Sequence, residues 1–249
     1  MPAMTTRGPV ATVALFRAQD DAALSAARLR ELGFRAISAP VIEIAPLRVM
    51  TARRHYDAVV ASSAKAFAGG AIAGAASPLY VVGARTARAA EALGWWPAAP
   101  PAPDAARIVE VLRRDLPKGA NVLYLAGRDR KPTLEDRLGE YALEVVEAYA
   151  AKARQSWRAS EIRAVASCDA ALHYSRRSAG LAVRLAESSG LMERFRELRH
   201  VCLSQDVARP LRAVDASRVV VAERPDEPAL FDALRKALAV FPSDGASRI

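Results

Sequence analysis

YDAVVASS (56–63) and CDAALHYS (168–175) carry one pattern twice: an Asp-Ala step, a short aliphatic run, and a Ser six residues after the Asp. The likeness extends in both directions. Downstream, LYVVGARTARAAEAL (79–93) and RHVCLSQDVARPLRAV (199–214) each read as strand, small residue, turn and helix. VALFRAQD (13–20), followed by a helix and SAPVIEI, answers VLYLAGRD (122–129), followed by a helix and EVVEAY. An α/β unit written twice in one chain is the reading these pairs support, and such folds place their site between the copies.

Aliphatic runs alternating with Ala/Leu/Arg segments at helical spacing predict parallel sheets covered by helices. The clearest strands are 13–16, 58–60, 79–83, 121–127, 142–149, 170–174, 200–204 and 218–222. DDAALSAARLRELG begins a helix with Asp20 and Asp21 as candidate caps and ends it at Gly33. WWPAAPPAPDAA (95–106) is too rich in Pro for a central strand or helix interior, so it reads as a surface connection to a helix near 104–114.

Composition removes several classes of function. The chain has 249 residues, 52% apolar and 25% charged, enough for one large or two modest folded domains and unlike a disordered chain or coiled coil. Charged residues interrupt every apolar run, and the apolar stretch before Arg17 is short for a signal peptide, so a cytoplasmic location and no membrane partner are expected. Two cysteines, Cys168 and Cys202, and three histidines at 55, 173 and 200 lack the spacing of a disulfide framework or a zinc site, so no metal is expected. The net charge is +9, but Arg so outnumbers Lys, amid abundant Ala, that the excess reads as composition bias; with no basic block, no nucleic-acid partner is expected. No heptad or large apolar stripe demands a partner subunit, which predicts a monomer.

In parallel sheets the ligand crevice lies beyond the carboxyl ends of the strands, where helix N-termini direct N–H groups outward. Small and hydroxyl residues collect there: Ser62 and Ser63 after AVV (58–60), Gly83 and Thr86 after YVV (80–82), Gly127 after LYLA (123–126), Ser175 after LHY (172–174) and Ser204 after VCL (201–203). Each is a candidate to offer a hydroxyl or an amide to an anion, and each is equally an ordinary cap or turn residue. GxGxxG, GxxxxGK[ST] and GxSxG are all absent, so neither a standard nucleotide site nor a nucleophile elbow is present. His173 and His200 read as packed histidines, and Asp57 and Asp169, which start strands, as structural. What remains is hydroxyls, amides, Arg and a Tyr, equipment for binding a polyanion and stabilising developing charge.

These segments in this order resemble the uroporphyrinogen-III synthase family. YDAVVASSAKAF is similar to its strand-Thr-Ser-x-Asn segment, VVGARTA to its Val-Gly-x-x-Thr-Ala segment, and VLYLAGRDRKPTL with EVVEAY to its Leu-x-Gly and strand-Tyr segments. The likeness runs from about residue 11 to 238, with DAALHYSRRSA and HVCLSQDVARPL more divergent. It implies two similar parallel-sheet, flavodoxin- or Rossmann-like domains: 1–39 with 153–249, and 43–148, joined by a two-stranded ladder at 40–42 and 149–152, with substrate in the cleft.

The implied reaction is a hydro-lyase cyclisation without cofactor: linear hydroxymethylbilane closes to uroporphyrinogen III, with inversion of ring D and loss of water, through an azafulvene and a spiro intermediate. Hand-over from hydroxymethylbilane synthase would supply this linear tetrapyrrole, a small-molecule polycarboxylate. Tyr149 matches the family Tyr and is the expected catalytic donor to the departing hydroxyl. Ser63, Thr86 and Ser175 match cleft hydroxyls. Ser62, Gly83, Gly127 and Ser204 would offer amides to substrate carboxylates, and Arg17 a carboxylate clamp. The chain departs from the pattern at Lys65, where Asn is usual and the donor is kept, at Val207, where the second copy usually has Thr, and at Ser204, which replaces Gly. Those departures leave open another reading, a two-domain binding or regulatory protein for an anionic small molecule; an enzyme acting on a phosphorylated compound is a third.

Overall fold

A computed structural model describes residues 10–53, 55–70, 76–130, 132 and 134–239. The chain divides into two compact units, 1–43 with 153–249 and 44–152. The chain passes between them inside two strands, β3 (Ile42–Pro46) and β7 (Ala142–Ala153).

The first unit is built on β1 (Thr12–Leu15), β2 (Arg35–Ser38), β8 (Ala170–His173), β9 (Arg199–Cys202) and β10 (Arg218–Val221), in the order β10-β9-β8-β1-β2. The pairs β1–β2, β1–β8, β8–β9 and β9–β10 are all parallel. Its helices are α1 (Gln19–Glu31), α4 (Ala159–Ala166), α5 (Arg176–Ser188), α6 (Met192–Glu197), α7 (Gln205–Arg212) and α8 (Glu227–Ala239). They cover both faces. Phe16, Trp157, Val165, Phe195 and Leu198 fill one side, and Leu15, Leu29, Leu172, Leu230 and Leu234 the other. Central strands buried on both faces read as apolar runs rather than alternating ones, as Ala170–Leu172 of β8 does before the buried His173. Counted from β1, the spatial order is 2-1-3-4-5, a flavodoxin-like winding whose direction reverses between β1 and β8.

The second unit holds β4 (Ala58–Ala61), β5 (Leu79–Val81) and β6 (Asn121–Gly127) with β3 and β7, in the order β3-β7-β6-β4-β5. Pairs β6–β7, β4–β6 and β4–β5 are parallel. The Arg154 N–H donates to Val41 O and the Leu47 N–H to Ala148 O, so one partner descends as the other rises, the signature of antiparallel register beside β3. Two helices, α2 (Ala84–Glu91) and α3 (Ala105–Asp115), and a 3₁₀ turn at Ala64–Phe67 pack on this sheet.

The repeat is written in hydrogen bonds. Asp57 accepts from the Asn121 N–H at 2.7 Å, and its own N–H donates to Asn121 O at 2.9 Å. Asp169 treats Thr12 in the same way, at 2.7 and 2.8 Å. Each Asp clamps the first residue of the neighbouring strand. In each unit that neighbour is the strand across the point where the winding reverses.

Three local expectations need correction. Asp20 and Asp21 lie in the first turn of α1, whose cap is Ala18, so they favour the helix through its dipole rather than by capping. The strand β2 was not among the clearest in the sequence, because RAIS is an edge strand with an exposed Arg35 and little apolar signal. The Pro-rich 97–102 segment runs along β5: Ala98 N–H donates to Leu79 O and Ala102 N–H to Val81 O, with parallel bridges at Pro97 and Ala102. It stands where β10 stands beside β9, an edge position that tolerates Pro.

Candidate functional site

At the carboxyl edge of the second sheet, the chain leaving β4 presents Ser62, whose Oγ lies 2.8 Å from the Tyr124 hydroxyl on β6. Burial pushes the Tyr124 phenol above its ordinary value, and the Ser62 hydrogen bond only partly offsets it. Tyr149 comes from β7. Its ring lies against Gly127, so that a Cβ at position 127 would stand 2.6 Å from Cζ and 2.7 Å from the hydroxyl. The Tyr149 carbonyl accepts from the Arg128 N–H at 2.9 Å, which fixes the backbone below the ring. Arg130 closes this edge, donating to Glu135 at 2.6 Å and to Gly127 O at 2.9 Å, while Arg128 pairs with Glu147 at 2.8 Å. The other oxygen of Glu135, Oε2, is buried without a hydrogen-bond partner among the described residues.

The remaining candidates of this unit take quieter places. Ser63 caps the 3₁₀ turn by accepting from the Lys65 N–H at 3.3 Å. Gly83 has φ +81°, a backbone that side chains strain to adopt, and caps α2. Its N–H donates to Ala102 O at 2.7 Å, so the Gly83 amide is occupied rather than offered to a ligand. Thr86 is buried on α2 and Gly127 is buried beneath Tyr149, so neither is exposed at the edge.

The first unit's edge is a closed ionic cluster. The Arg17 guanidinium lies 3.9 Å over the Tyr174 ring, donates to Ser25 Oγ at 2.9 Å and stands 3.5 Å from Glu227. Ser25 and Tyr174 donate to the same carboxylate at 2.6 and 2.9 Å, and Arg28 pairs with it. Burial works to raise the Glu227 carboxyl, but these hydrogen bonds and the Arg28 charge outweigh it and hold it below the usual range. Burial also pushes the Tyr174 phenol well up. The proposed clamp, Arg17, thus already holds a carboxylate of its own chain.

Ser175 caps α5, accepting from the Ser178 N–H at 3.1 Å, and Ser204 caps α7, accepting from the Val207 N–H at 3.4 Å. Both departures lie at the start of α7. Ser204 has φ −158°, so the left-handed backbone of Gly83 is not needed there, and Val207 is buried in the first unit's core. His173 and His200 are also core: His200 Nε2 donates to Phe195 O at 2.7 Å, which leaves its Nδ1 to accept from His173 Nε2 at 2.9 Å. Burial keeps both neutral, with His200 lowered to about 4. Among the described residues no cluster of His, Cys, Asp and Glu could hold a metal ion, and no helix is long and apolar enough to cross a membrane.

Sequence reasoning missed Tyr124, Arg130, Glu135, Tyr174 and Glu227. Tyr124 left a trace, a hydroxyl where the other copy of the strand has Leu15. Glu227 left none, because it meets Arg17 from 210 residues away.

Comparison with known proteins sets these edges in context. The model of the family described as Uroporphyrinogen-III synthase HemD matches residues 24–232. A uroporphyrinogen-III synthetase structure from Helicobacter pylori superposes with TM-score 0.58 at 14% identity, covering 94% of this chain and 100% of that one, a likeness of fold. A uroporphyrinogen III synthase from Thermus thermophilus, 18% identical over 93% of this chain and 99% of that one, gives 0.43. No curated protein sequence matches. With the family model covering most of its length, the chain belongs to the uroporphyrinogen-III synthase family.

Proposed function

We propose that this chain closes hydroxymethylbilane to uroporphyrinogen III as a cofactor-independent hydro-lyase, with Tyr149 as the acid that assists departure of the hydroxyl. The family match across 24–232 carries this reading. The position of Tyr149, beside Gly127 at the carboxyl end of β6, supports its part in it.

The chemistry asks little of the protein by way of acid-base strength. The C–O bond of the hydroxymethyl group breaks, the oxygen leaves as water with a proton from the Tyr149 phenol, and the pyrrole nitrogen supplies electrons to form the azafulvene. The substituted α-carbon of ring D then attacks to give the spiro intermediate. Breaking the older bond to ring D and rejoining through its free α-carbon inverts the ring, and the proton released there restores the phenol. Because the pyrroles stabilise the cation themselves, holding the chain so that the substituted carbon attacks first is the larger task.

Binding eight carboxylates is where the polar edges enter. Ser62, Ser63 and Lys65 in the second unit and Ser175 and Ser204 in the first are assigned to them, with the positive ends of the adjoining helices α5 and α7. Arg17 joins them once a substrate carboxylate replaces Glu227. Thr86, Gly83 and Gly127 serve from behind, by shaping the backbone on which these groups stand. On the same reading β3 and β7 are the connecting ladder, the enzyme acts as a cytoplasmic monomer, and its substrate is handed on by hydroxymethylbilane synthase. The test is to generate hydroxymethylbilane in situ, add the protein, oxidise the product and separate the isomers. Uncatalysed closure gives type I, so type III porphyrin reports the activity and type I alone refutes it.

A further inference from the structure

Along β6 and β7 the parallel register runs without a break from Asn121 opposite Ala142 to Ala126 opposite Glu147. It then slips. Gly127 stands opposite Tyr149, and Ala148 is left over as an extra residue on β7. A bulge of this kind is uncommon in parallel pairs, and its effect is to change the direction in which the next side chain points. Without it, Gly127 would face Ala148.

The residue that receives the redirected Tyr149 has no side chain. A Cβ at position 127 would lie 2.6 Å from Tyr149 Cζ, 2.7 Å from its hydroxyl and 2.8 Å from Cε2, all closer than real Cβ contacts come. This crowding falls on the far end of the ring, where the phenol is. Gly127 has no left-handed backbone to explain it, and the three atoms nearest that Cβ position all belong to Tyr149. Both groups are tied in place: the Gly127 carbonyl accepts from Arg130 at 2.9 Å, and the Tyr149 carbonyl accepts from the Arg128 N–H at 2.9 Å. The other copy has no such arrangement. Its matching residue is Ala18, and β1 ends at Leu15 with no bulge in its pairing to β2.

We infer that Gly127, with the Ala148 bulge, is a positioning residue: the space left by its absent side chain is the seat of the Tyr149 phenol, and Gly127 acts on the reaction only through that ring. The inference rests on the synthase reading and on Tyr149 as its donor. A single methyl at 127 pushes the hydroxyl out of its seat. Because Tyr149 is only half-buried, its ring swings outward rather than forcing the sheet apart.

The experiment is a cycle of Gly127→Ala and Tyr149→Ala, singly and together, read as isomer-resolved kcat and KM with thermal unfolding alongside. Displacing a reacting group by about 1 Å costs up to ~10²-fold in rate. Gly127→Ala alone is therefore expected to lose at least about tenfold in kcat for type III, with KM little changed. In the Tyr149→Ala background the same change is expected to cost nothing further. Losses that multiply in the double variant overturn the inference, as does Gly127→Ala with full kcat. Should Gly127→Ala fail to fold, recovery of folding in the double variant supports the seat, and failure of both overturns it. Type I alone from the unaltered protein removes the synthase reading and this inference together, whereas type III from it with an additive cycle removes the inference alone.

Discussion

The carboxyl edges of the two sheets share a scaffold and differ in chemistry. In both units an Asp at the start of a strand clamps the first residue of its neighbour, and a Ser six positions later caps the turn or helix that follows. On that common frame the second unit places hydroxyls, Ser62 against Tyr124 and Tyr149 over Gly127. The first gathers its polar groups, Arg17, Arg28, Ser25 and Tyr174, onto one carboxylate of its own, Glu227. The residues that build the frame repeat, and those that give each edge its chemistry do not. A duplicated fold therefore advertises its scaffold in the sequence and hides its site in the mismatches.

The sharpest way to break that comparison is to remove one phenol from each edge. Tyr149→Phe is expected to lower kcat for type III by about 10²–10⁴-fold, the range of a general acid, with KM little changed. Tyr174→Phe, whose hydroxyl serves Glu227, should leave kcat nearly intact and cost about 1 kcal/mol of stability in a denaturant titration. Equal kinetic losses would mean that both edges do chemistry.

A second contrast lies in acid. Only the first unit, among the described residues, buries a histidine pair. Both are neutral when folded, while the unfolded chain takes up protons below about pH 6.5. Stability is therefore complete above that pH and falls as pH drops towards about 4, the folded value of His200, by on the order of 3 kcal/mol for that group. Hydrogen exchange at pH 7 and pH 5 should show β8 and β9 losing protection while β4 and β6 keep theirs. Equal loss in both sheets would contradict it.

A third pair of variants tests the shared frame. Asp57→Asn and Asp169→Asn each weaken one backbone hydrogen bond at an exposed strand start, so each is expected to cost about 1–2 kcal/mol. Near-equal values in urea titrations would sharpen the equivalence of the copies, and a difference of several-fold would undo it.

The parallel α/β architecture was legible because doubly covered strands read as unbroken apolar runs, as AVVA does throughout and AALH does up to the buried His173. The Asp-to-Ser spacing was legible too, since its bonds join residues that each copy repeats. Within the candidate site, the placing of Ser62 was readable from the end of its strand and Tyr149 only through the family resemblance, since β7 runs on past it to Ala153; the partners of both were not readable. The bulge at Ala148 depends on the register between two strands, which no local pattern records. The Gly83 amide looked available because its acceptor, Ala102, belongs to a Pro-rich stretch that reads as a loop. The Arg17 cluster was invisible for a related reason: its carboxylate enters from α8, where the sequence gives only a helix start.

The central claim is that the second edge, through the Tyr149 phenol, directs closure of the linear tetrapyrrole. Isomer-resolved turnover of the unaltered protein and Tyr149→Phe, assayed side by side on hydroxymethylbilane made in situ, tests it most directly. The account predicts mainly type III porphyrin from the unaltered protein and mainly type I from the variant, with both proteins folded. Type I alone from both, or undiminished type III from the variant, would contradict it.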